Sequence, residues 1–300
     1  MIKTILPKNK GHWLELRQPN LNSTEVSALF GINPYLTLFE LWHRKKDNLT
    51  VDFEGNERID WGARLEKVIA KGIAEDEGWK IRKMDEYKYD PDLRLGSSFD
   101  YQIGDNGHLE IKNVDAMIFK DGWLVEDGQI EAPPHIEMQV QVEMAIGEFA
   151  FNYIGGLVGG NSVKLLKREP DEKVITAIYK KTAWFWNSIL ENKEPKPDFS
   201  RDADTIRRLY SQAEAGKVLD VRGNADVQGW ADKYKQLSAQ KKEIETQIDE
   251  IKSHLIIFAG DSEKIIGDNF SISMGIVKGG RVEYDRQDYR AFKPYFKKEK

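Results

Sequence analysis

The chain contains no cysteine. That absence excludes disulfides, thiolate nucleophiles, zinc ribbons and iron–sulfur clusters, and it fits a reducing cytosolic compartment. No apolar run approaches the roughly 18 residues of a membrane span, and Met1–Trp13 lacks the apolar core of a secretory signal. The chain therefore reads as soluble and cytoplasmic, with no membrane partner. Histidine is scarce, at five residues, and neither the His-Glu-x-x-His helix nor the Gly-x-Ser-x-Gly elbow occurs, so a histidine-based metal site is not expected. A basic surplus is missing too. The net charge is −5, with 26 Lys and Arg against 33 Asp and Glu in residues 1–200, and 19 against 17 in residues 201–300. A protein that grips phosphate by charge alone would be basic. A carboxylate surplus instead suits a site that recruits divalent cations, which then contact phosphate.

What is present points to a globular fold. Hydrophobic residues make up 40%, with eight Trp and eleven Tyr among 300 residues, which excludes wholesale disorder and allows a sizeable core. Asn22–Glu25 followed by Val26, Leu29 and Phe30 predicts a capped short helix, broken by Gly31–Tyr35 and resumed at Leu38, Leu41 and Trp42. Trp61, Leu65, Val68, Ile69 and Ile73 have helical spacing up to Gly78. Trp79–Tyr89 reads as a strand, and Leu95–Ile103 and Leu109–Val114 read as a hairpin around Gly104–Gly107. A helix over His135–Ile146 follows, then a second hairpin (Phe149–Val158, Ser162–Lys167) and a long helix starting at Glu169–Glu172. The Gly-rich stretch Gly155–Gly160 lacks the Lys-Ser/Thr of a phosphate loop and the Gly-x-Gly-x-x-Gly spacing, and reads as a hairpin turn between two strands.

The run Lys193–Asp198 marks a domain boundary, giving a domain over 1–199, a helical arm over 200–260 and a short β tail over 261–300. In the arm, Trp230, Leu237, Ile244 and Ile251 are seven apart, as are Tyr234, Lys241, Ile248 and Leu255. Such a seam fits a helix lying on its own domain, self-association or a partner helix. Phe270–Val277 and Val282–Tyr284 read as strands around Gly279-Gly280.

The residues that carry chemistry lie on the first hairpin. Glu110 and Lys112 point to the same face of their strand, and a tight hairpin brings Asp100 alongside. Two converging carboxylates repel, so the arrangement is stable when a divalent cation sits between them. Lys112 beside that pair can orient a water, whose pKa the metal lowers for attack on phosphorus.

The order of elements and motifs resembles a known family. Trp13–Arg17, Ser23–Val26, Gly31–Tyr35 with Glu40–Trp42, Trp61-Gly62 with Glu66, Asp100 with Glu110-Ile111-Lys112, and Met138–Gln141 are similar, in the same order, to motifs of the lambda exonuclease or YqaJ-type viral recombinase family, within the PD-(D/E)xK nuclease superfamily. The resemblance implies an α/β fold: a restriction-endonuclease-like core with a small mixed sheet flanked by helices, followed by the helical arm and β tail. It implies that Asp100, Glu110 and the main-chain carbonyl of Ile111 ligate Mg²⁺ (or Mn²⁺), with Glu66 reaching the metal or its water shell. Lys112 would then position the attacking water, Gln139 would orient Lys112 or the nucleophile, and Arg17 with Thr24 and Ser23 would hold a terminal 5′-phosphate. Thr24 stands where the family usually has Ser, Phe99-Asp100-Tyr101 replaces the usual Pro-Asp-Gly, and Asn113 follows the lysine. The implied activity is a processive 5′→3′ exonuclease on double-stranded DNA ends, phage- or prophage-encoded. It would work as a ring-shaped homo-oligomer and pass 3′ single strands to a single-strand annealing protein. Two alternatives remain: an endonuclease or nickase on the same core, and a non-catalytic DNA-binding scaffold.

Overall fold

The computed structural model of the protein describes residues 1–49, 56–126, 129–283 and 289–296. The chain forms two compact units, Met1–Thr205 and Ile206–Lys300. The first begins with strand β1 (Lys3–Ile5), helix α1 (Lys10–Arg17), strand β2 (Leu21–Asn22) and helices α2 (Ser23–Val26), α3 (Leu38–Lys46) and α4 (Glu57–Glu77). Strands β3 (Ile81–Lys83), β4 (Tyr87–Asp90), β5 (Leu95–Ser98), β6 (Tyr101–Ile103) and β7 (Gly107–Val114) follow. Then come α5 (Ala116–Gly122), β8 (Leu124–Glu126), β9 (Gln129–Glu131), α6 (Pro134–Gly147), the hairpin of β10 (Phe151–Val158) and β11 (Ser162–Arg168), and α7 (Glu172–Leu190).

The main strands fall into two mixed sheets. One has the order β1-β4-β5-β2, the other β11-β10-β7-β6-β3, in which β7 and β10 run parallel. Two expected strands divide between them: Trp79–Tyr89 becomes β3 and β4, and Leu95–Ile103 becomes β5 and β6. Buried Met84 and Phe99 explain both breaks, because each drops into the hydrophobic core and pulls the chain off a straight strand path. At the crossing the Met84 amide donates to the Asp100 carbonyl at 3.0 Å. Asp100 thus sits where the chain passes from one sheet to the other.

Two features bring helices against the strands. Gly155 lies within β10 opposite Ile111, rather than in the hairpin turn, which Gly159 and Gly160 form with φ of +59° and +78°. A Cβ at Gly155 would stand 2.6 Å from Ile73 Cδ1, so glycine lets α4 lie close on the sheet. Helix α6 starts with Pro134, whose missing N–H costs nothing in the first turn. It packs on β4, β5 and β10 and on α7, and Gln139 and Glu143 are buried along with its apolar residues.

The first unit runs past the Lys193–Asp198 stretch because the chain beyond it is tied back. The Thr37 hydroxyl and the Asp198 amide donate to the Asp202 carboxylate, and Arg201 donates to the Asn33 carbonyl at 2.7 Å. Helix α8 (Ala203–Leu209) follows. In the second unit, Asn224 caps the 35-residue helix α9 (Ala225–Ala259). Trp230, Leu237, Ile244 and Ile251 on its seam are exposed, while the Tyr234 ring meets Phe292 at 5.4 Å. Strand β13 (Ser271–Ser273) is shorter than expected and pairs with β12 (Lys264–Ile266), which precedes it in the chain. Of the expected strand Val282–Tyr284, Val282 and Glu283 form no strand and Tyr284 lies outside the described residues.

Candidate active site

The centre of the site is β7, paired on one side with β10 and on the other with the short β6. Because β6 stops at Tyr101, the β7 edge next to Ile111 faces Asp100 instead of a strand. The Ile111 amide donates to Asp100 Oδ2 at 2.8 Å. One residue's N–H and C=O leave an antiparallel strand by the same edge, so the Ile111 carbonyl is directed to that side as well. Lys112 Nζ donates to Glu110 Oε1 at 2.7 Å and to Gln139 Oε1 at 3.1 Å. The Gln139 amide in turn donates to Glu110 Oε1 and to Glu143 Oε1, both at 2.7 Å. These three bonds set which way the amide faces. Glu66, from α4, pairs with the Lys83 ammonium, which also lies 3.9 Å from Asp100 Oδ1. The six candidate residues Glu66, Asp100, Glu110, Ile111, Lys112 and Gln139 are therefore brought to one place.

The charges there are strongly perturbed. Burial, then the nearby Glu110 and Glu66 carboxylates, push the Asp100 carboxyl well above its usual range. Burial works against the Glu110 charge as well, but Lys112 and the hydrogen bonds from Lys112 and Gln139 hold it below the usual carboxylate range. Burial alone would lower Lys112, yet Glu110 and Glu143 keep its ammonium above the ordinary lysine value. Two carboxylates, Glu110 and Glu66, thus converge on a carboxyl that resists ionising. Both bonds to Glu110 land on Oε1, and among the described residues no hydrogen bond reaches Oε2. An all-oxygen donor set with this excess of negative charge fits a hard divalent cation.

Behind the strand lies a network that sequence reasoning missed. His108 is fully buried, and its pKa is pushed down to about 4 by burial. The Asp100 amide donates to its Nε2 at 3.2 Å, so Nδ1 carries the proton of the neutral ring. The Asn152 amide lies 2.6 Å from Nδ1. Its oxygen must therefore face the ring, which also partners the Asn152 Oδ1 that is otherwise buried without a bond. His108, Glu110 and Glu143 bring ligand atoms within 4.8 Å of one another and by proximity could hold a metal ion. The imidazole, however, has no free lone pair left. Glu143 is completely buried, and burial followed by Glu110 raises its carboxyl well above the usual range. Its position one helical turn after Gln139 was legible as an i, i+4 pair. Nothing local in the sequence marks Lys83 or Asn152.

The phosphate-binding candidates form a second cluster. Arg17 ends α1, half-buried, with its guanidinium 4.4 Å from the Trp13 ring centroid and Nη2 3.4 Å from Thr24 Oγ1. Burial lowers its pKa, and Glu25 opposes that shift. Lys45, a further residue missed in the sequence, pairs with Glu25 at 2.8 Å and donates to the Arg17 carbonyl at 3.3 Å. The two neighbouring hydroxyls differ: Thr24 is at the surface, whereas Ser23 is buried and accepts from the Ser97 hydroxyl at 2.8 Å. Trp13 Nε1 donates to Ser98 Oγ at 2.8 Å. Strand β5 therefore carries this cluster, and Ser98 precedes Asp100 by two residues, roughly 7 Å of chain at most.

Residues 12–150 match the YqaJ-like viral recombinase domain family. Arg17 through Gln139, and so every candidate residue, fall inside that segment. The uncharacterized protein YqaJ of Bacillus subtilis (strain 168) is 27% identical over 257 residues, covering 81% of this chain and 80% of that protein. The alkaline exonuclease LHK-Exo from Laribacter hongkongensis, crystallised with dAMP, superposes with a TM-score of 0.50 at 17% identity, covering 66% of this chain and 100% of that one. At that identity the likeness concerns the fold alone, a small mixed sheet with flanking helices.

Proposed function

We propose that this YqaJ-like chain is a divalent-metal-dependent DNA nuclease, and in its finer form a processive 5′→3′ exonuclease on double-stranded ends that leaves 3′ single strands. The observation that carries the reading is the convergence of Asp100, Glu110 and Glu66 beside Lys112. Asp100, Glu110 and the Ile111 carbonyl would hold Mg²⁺, or Mn²⁺ in its place, with Glu66 reaching it or its water shell. When bound, such a cation supplies a Lewis acid and lowers the pKa of a water. Lys112, held by Glu110 and Gln139, orients the attacking water and neutralises charge that builds up on the phosphate. Gln139 fixes the Lys112 ammonium by accepting from it. Arg17 forks onto a terminal 5′-phosphate, Thr24 adds a hydroxyl at the surface, and Ser23 braces the turn from behind. Holding the 5′ end close to the scissile bond favours exonuclease over endonuclease action.

The acidic balance of residues 1–200 is poorly suited to gripping duplex on an open surface. It suits a homo-oligomeric ring that encloses DNA, in a phage or prophage setting in the host cytoplasm, with a single-strand annealing protein receiving the 3′ strand. The test uses purified protein, Mg²⁺, linear duplex with or without a 5′-phosphate, and closed circular plasmid. Mononucleotide release from the phosphorylated linear duplex, with the circle intact, is expected. Nicking of the circle would move the assignment to an endonuclease, and no cutting of either substrate, with Mn²⁺ tried in place of Mg²⁺, would leave a DNA-binding scaffold.

A further inference from the structure

A groove of about 880 Å³ runs between α4 and β3, and it shares Glu66 and Lys83 with the active site. Lys67, Lys71, Lys80 and Lys83 line it, as does Trp79. In a segment where acidic residues outnumber basic ones, four lysines against two carboxylates on one concave surface stand out. Lys71 pairs with Glu75 at 3.5 Å and Lys83 with Glu66, which leaves a positive surplus from Lys67 and Lys80. Lys67 and Lys71 are one turn apart on α4, about 6 Å along the axis, on the scale of roughly two 3.4 Å steps of a DNA strand. Lys80 and Lys83 approach from the opposite wall. Trp79 is half-buried and braced by Tyr153, with ring centroids 4.6 Å apart, giving one rigid aromatic surface beside the lysines.

We propose that this groove binds the backbone of a single DNA strand that continues past the scissile phosphate. The proposal rests on the nuclease reading and deepens it. A cavity of this size admits two or three nucleotide units, since roughly 300–1,000 Å³ takes a drug-sized ligand, and it is far too small for a duplex. Lysines tracking a backbone beside a stacking aromatic are the chemistry of sequence-tolerant single-strand binding. Because Glu66 and Lys83 line the groove and Lys83 lies 3.9 Å from Asp100 Oδ1, a strand lying in it runs beside the active site. The shared chemistry fits both the strand being shortened and its uncut complement.

The test measures binding of a fluorescent dT12 to the full chain in EDTA, as a function of NaCl concentration. The variant Lys67→Ala/Lys71→Ala/Lys80→Ala is compared with wild type and with the control Lys173→Ala/Lys180→Ala/Lys196→Ala, which removes three exposed lysines outside the groove. Each phosphate contact contributes about 0.7 to the slope of log K against log salt for single strands, so the groove variant is expected to lose about 2 from that slope while the control keeps it. A wild-type slope in the groove variant, or an equal loss in the control, overturns the proposal. Partial duplexes with methylphosphonate linkages in one strand at a time then identify the source. Neutralising the strand that the groove holds erases the difference between groove variant and wild type, and erasure by neither strand overturns the proposal. Because binding is read without metal, a protein that cuts nothing in Mg²⁺ or Mn²⁺ yet shows the slope difference would support the groove and remove only the nuclease reading.

Discussion

Replacing Lys112 by Met keeps the length of the side chain and removes its charge. A lysine with a purely catalytic role would lose activity and leave stability unchanged. The structure requires otherwise. Lys112 is the cationic partner of Glu110 at 2.7 Å, and the two side chains are 23% and 7% exposed. Removing one partner of a buried pair costs about 3–5 kcal/mol, and the partial exposure of Lys112 places this case near 3. For a domain of this size that is a fall of about 6–12 °C in Tm, at roughly 2–4 °C per kcal/mol. Adding Glu110→Gln removes the stranded carboxylate, so the double variant should regain about 2 kcal/mol, a coupling within the range seen for touching residues. Cleavage should fall by about 10²–10³ in Lys112→Met, as for loss of one positioned transition-state donor, and it should not return in the double variant, which lacks the Glu110 carboxylate. Thermal unfolding in EDTA and cleavage in Mg²⁺ check both halves. A Lys112→Met protein that unfolds at the wild-type temperature, or a double variant whose losses simply add, would refute the pairing and the argument built on it.

Other outcomes follow from the same geometry. Arg17→Ala should reduce cutting of 5′-phosphorylated ends more than of 5′-hydroxyl ends, and equal losses would show that Arg17 does not read the phosphate. Ser23→Ala should cost about 1 kcal/mol through the bond from Ser97 and leave the end preference intact, whereas Thr24→Val should weaken the preference. Glu143→Leu frees one side of the Gln139 amide and should lower kcat with little change in KM, while Glu143→Gln, which keeps an acceptor, should retain most of the rate. His108 stays neutral down to about pH 4 in the folded chain, against 6.5 ordinarily. Its contribution is therefore present above pH 6.5 and lost as pH falls toward 4, about 3 kcal/mol in all. Asp100 and Glu143, with raised values, act in the opposite sense, so the effect is read as the difference in chemical-denaturation stability between wild type and His108→Gln across that window. A constant difference would refute it.

Much of this fold follows from local pattern. The helical spacing of Leu65, Ile69 and Ile73 and the stop at Gly78 are visible in the chain, as is the β10–β11 hairpin around Gly159-Gly160. The strand breaks were not legible, because Met84 and Phe99 are apolar residues in apolar-rich runs. Nothing in a period-two pattern says that two consecutive stretches belong to different sheets. The role of Gly155 was hidden for a related reason: its lack of a Cβ matters only because Ile73, some eighty residues away in sequence, lies against it.

The site divides along the same line. Glu110 and Lys112 could be read together because strand geometry alone puts them on one face, and Asp100 because a hairpin returns it to them. Lys83, His108 and Asn152 are held in place by tertiary packing, and a buried polar side chain has no sequence signature beyond its type. Glu143 is marked only by its i, i+4 spacing from Gln139. Their presence nonetheless follows from physical necessity once the first three are placed. A buried Glu110 needs donors, which Lys112 and Gln139 provide. A buried Gln139 needs a second acceptor, which is Glu143. The Asp100 amide at the crossing needs an acceptor, which is His108, and His108 then needs Asn152. Each demand arises from burying the previous group, so the chain of partners runs outward from the metal-binding candidates until it reaches the apolar core. This coupling makes the same residues responsible for chemistry and for stability, and it is why a charge removed at Lys112 should register in both.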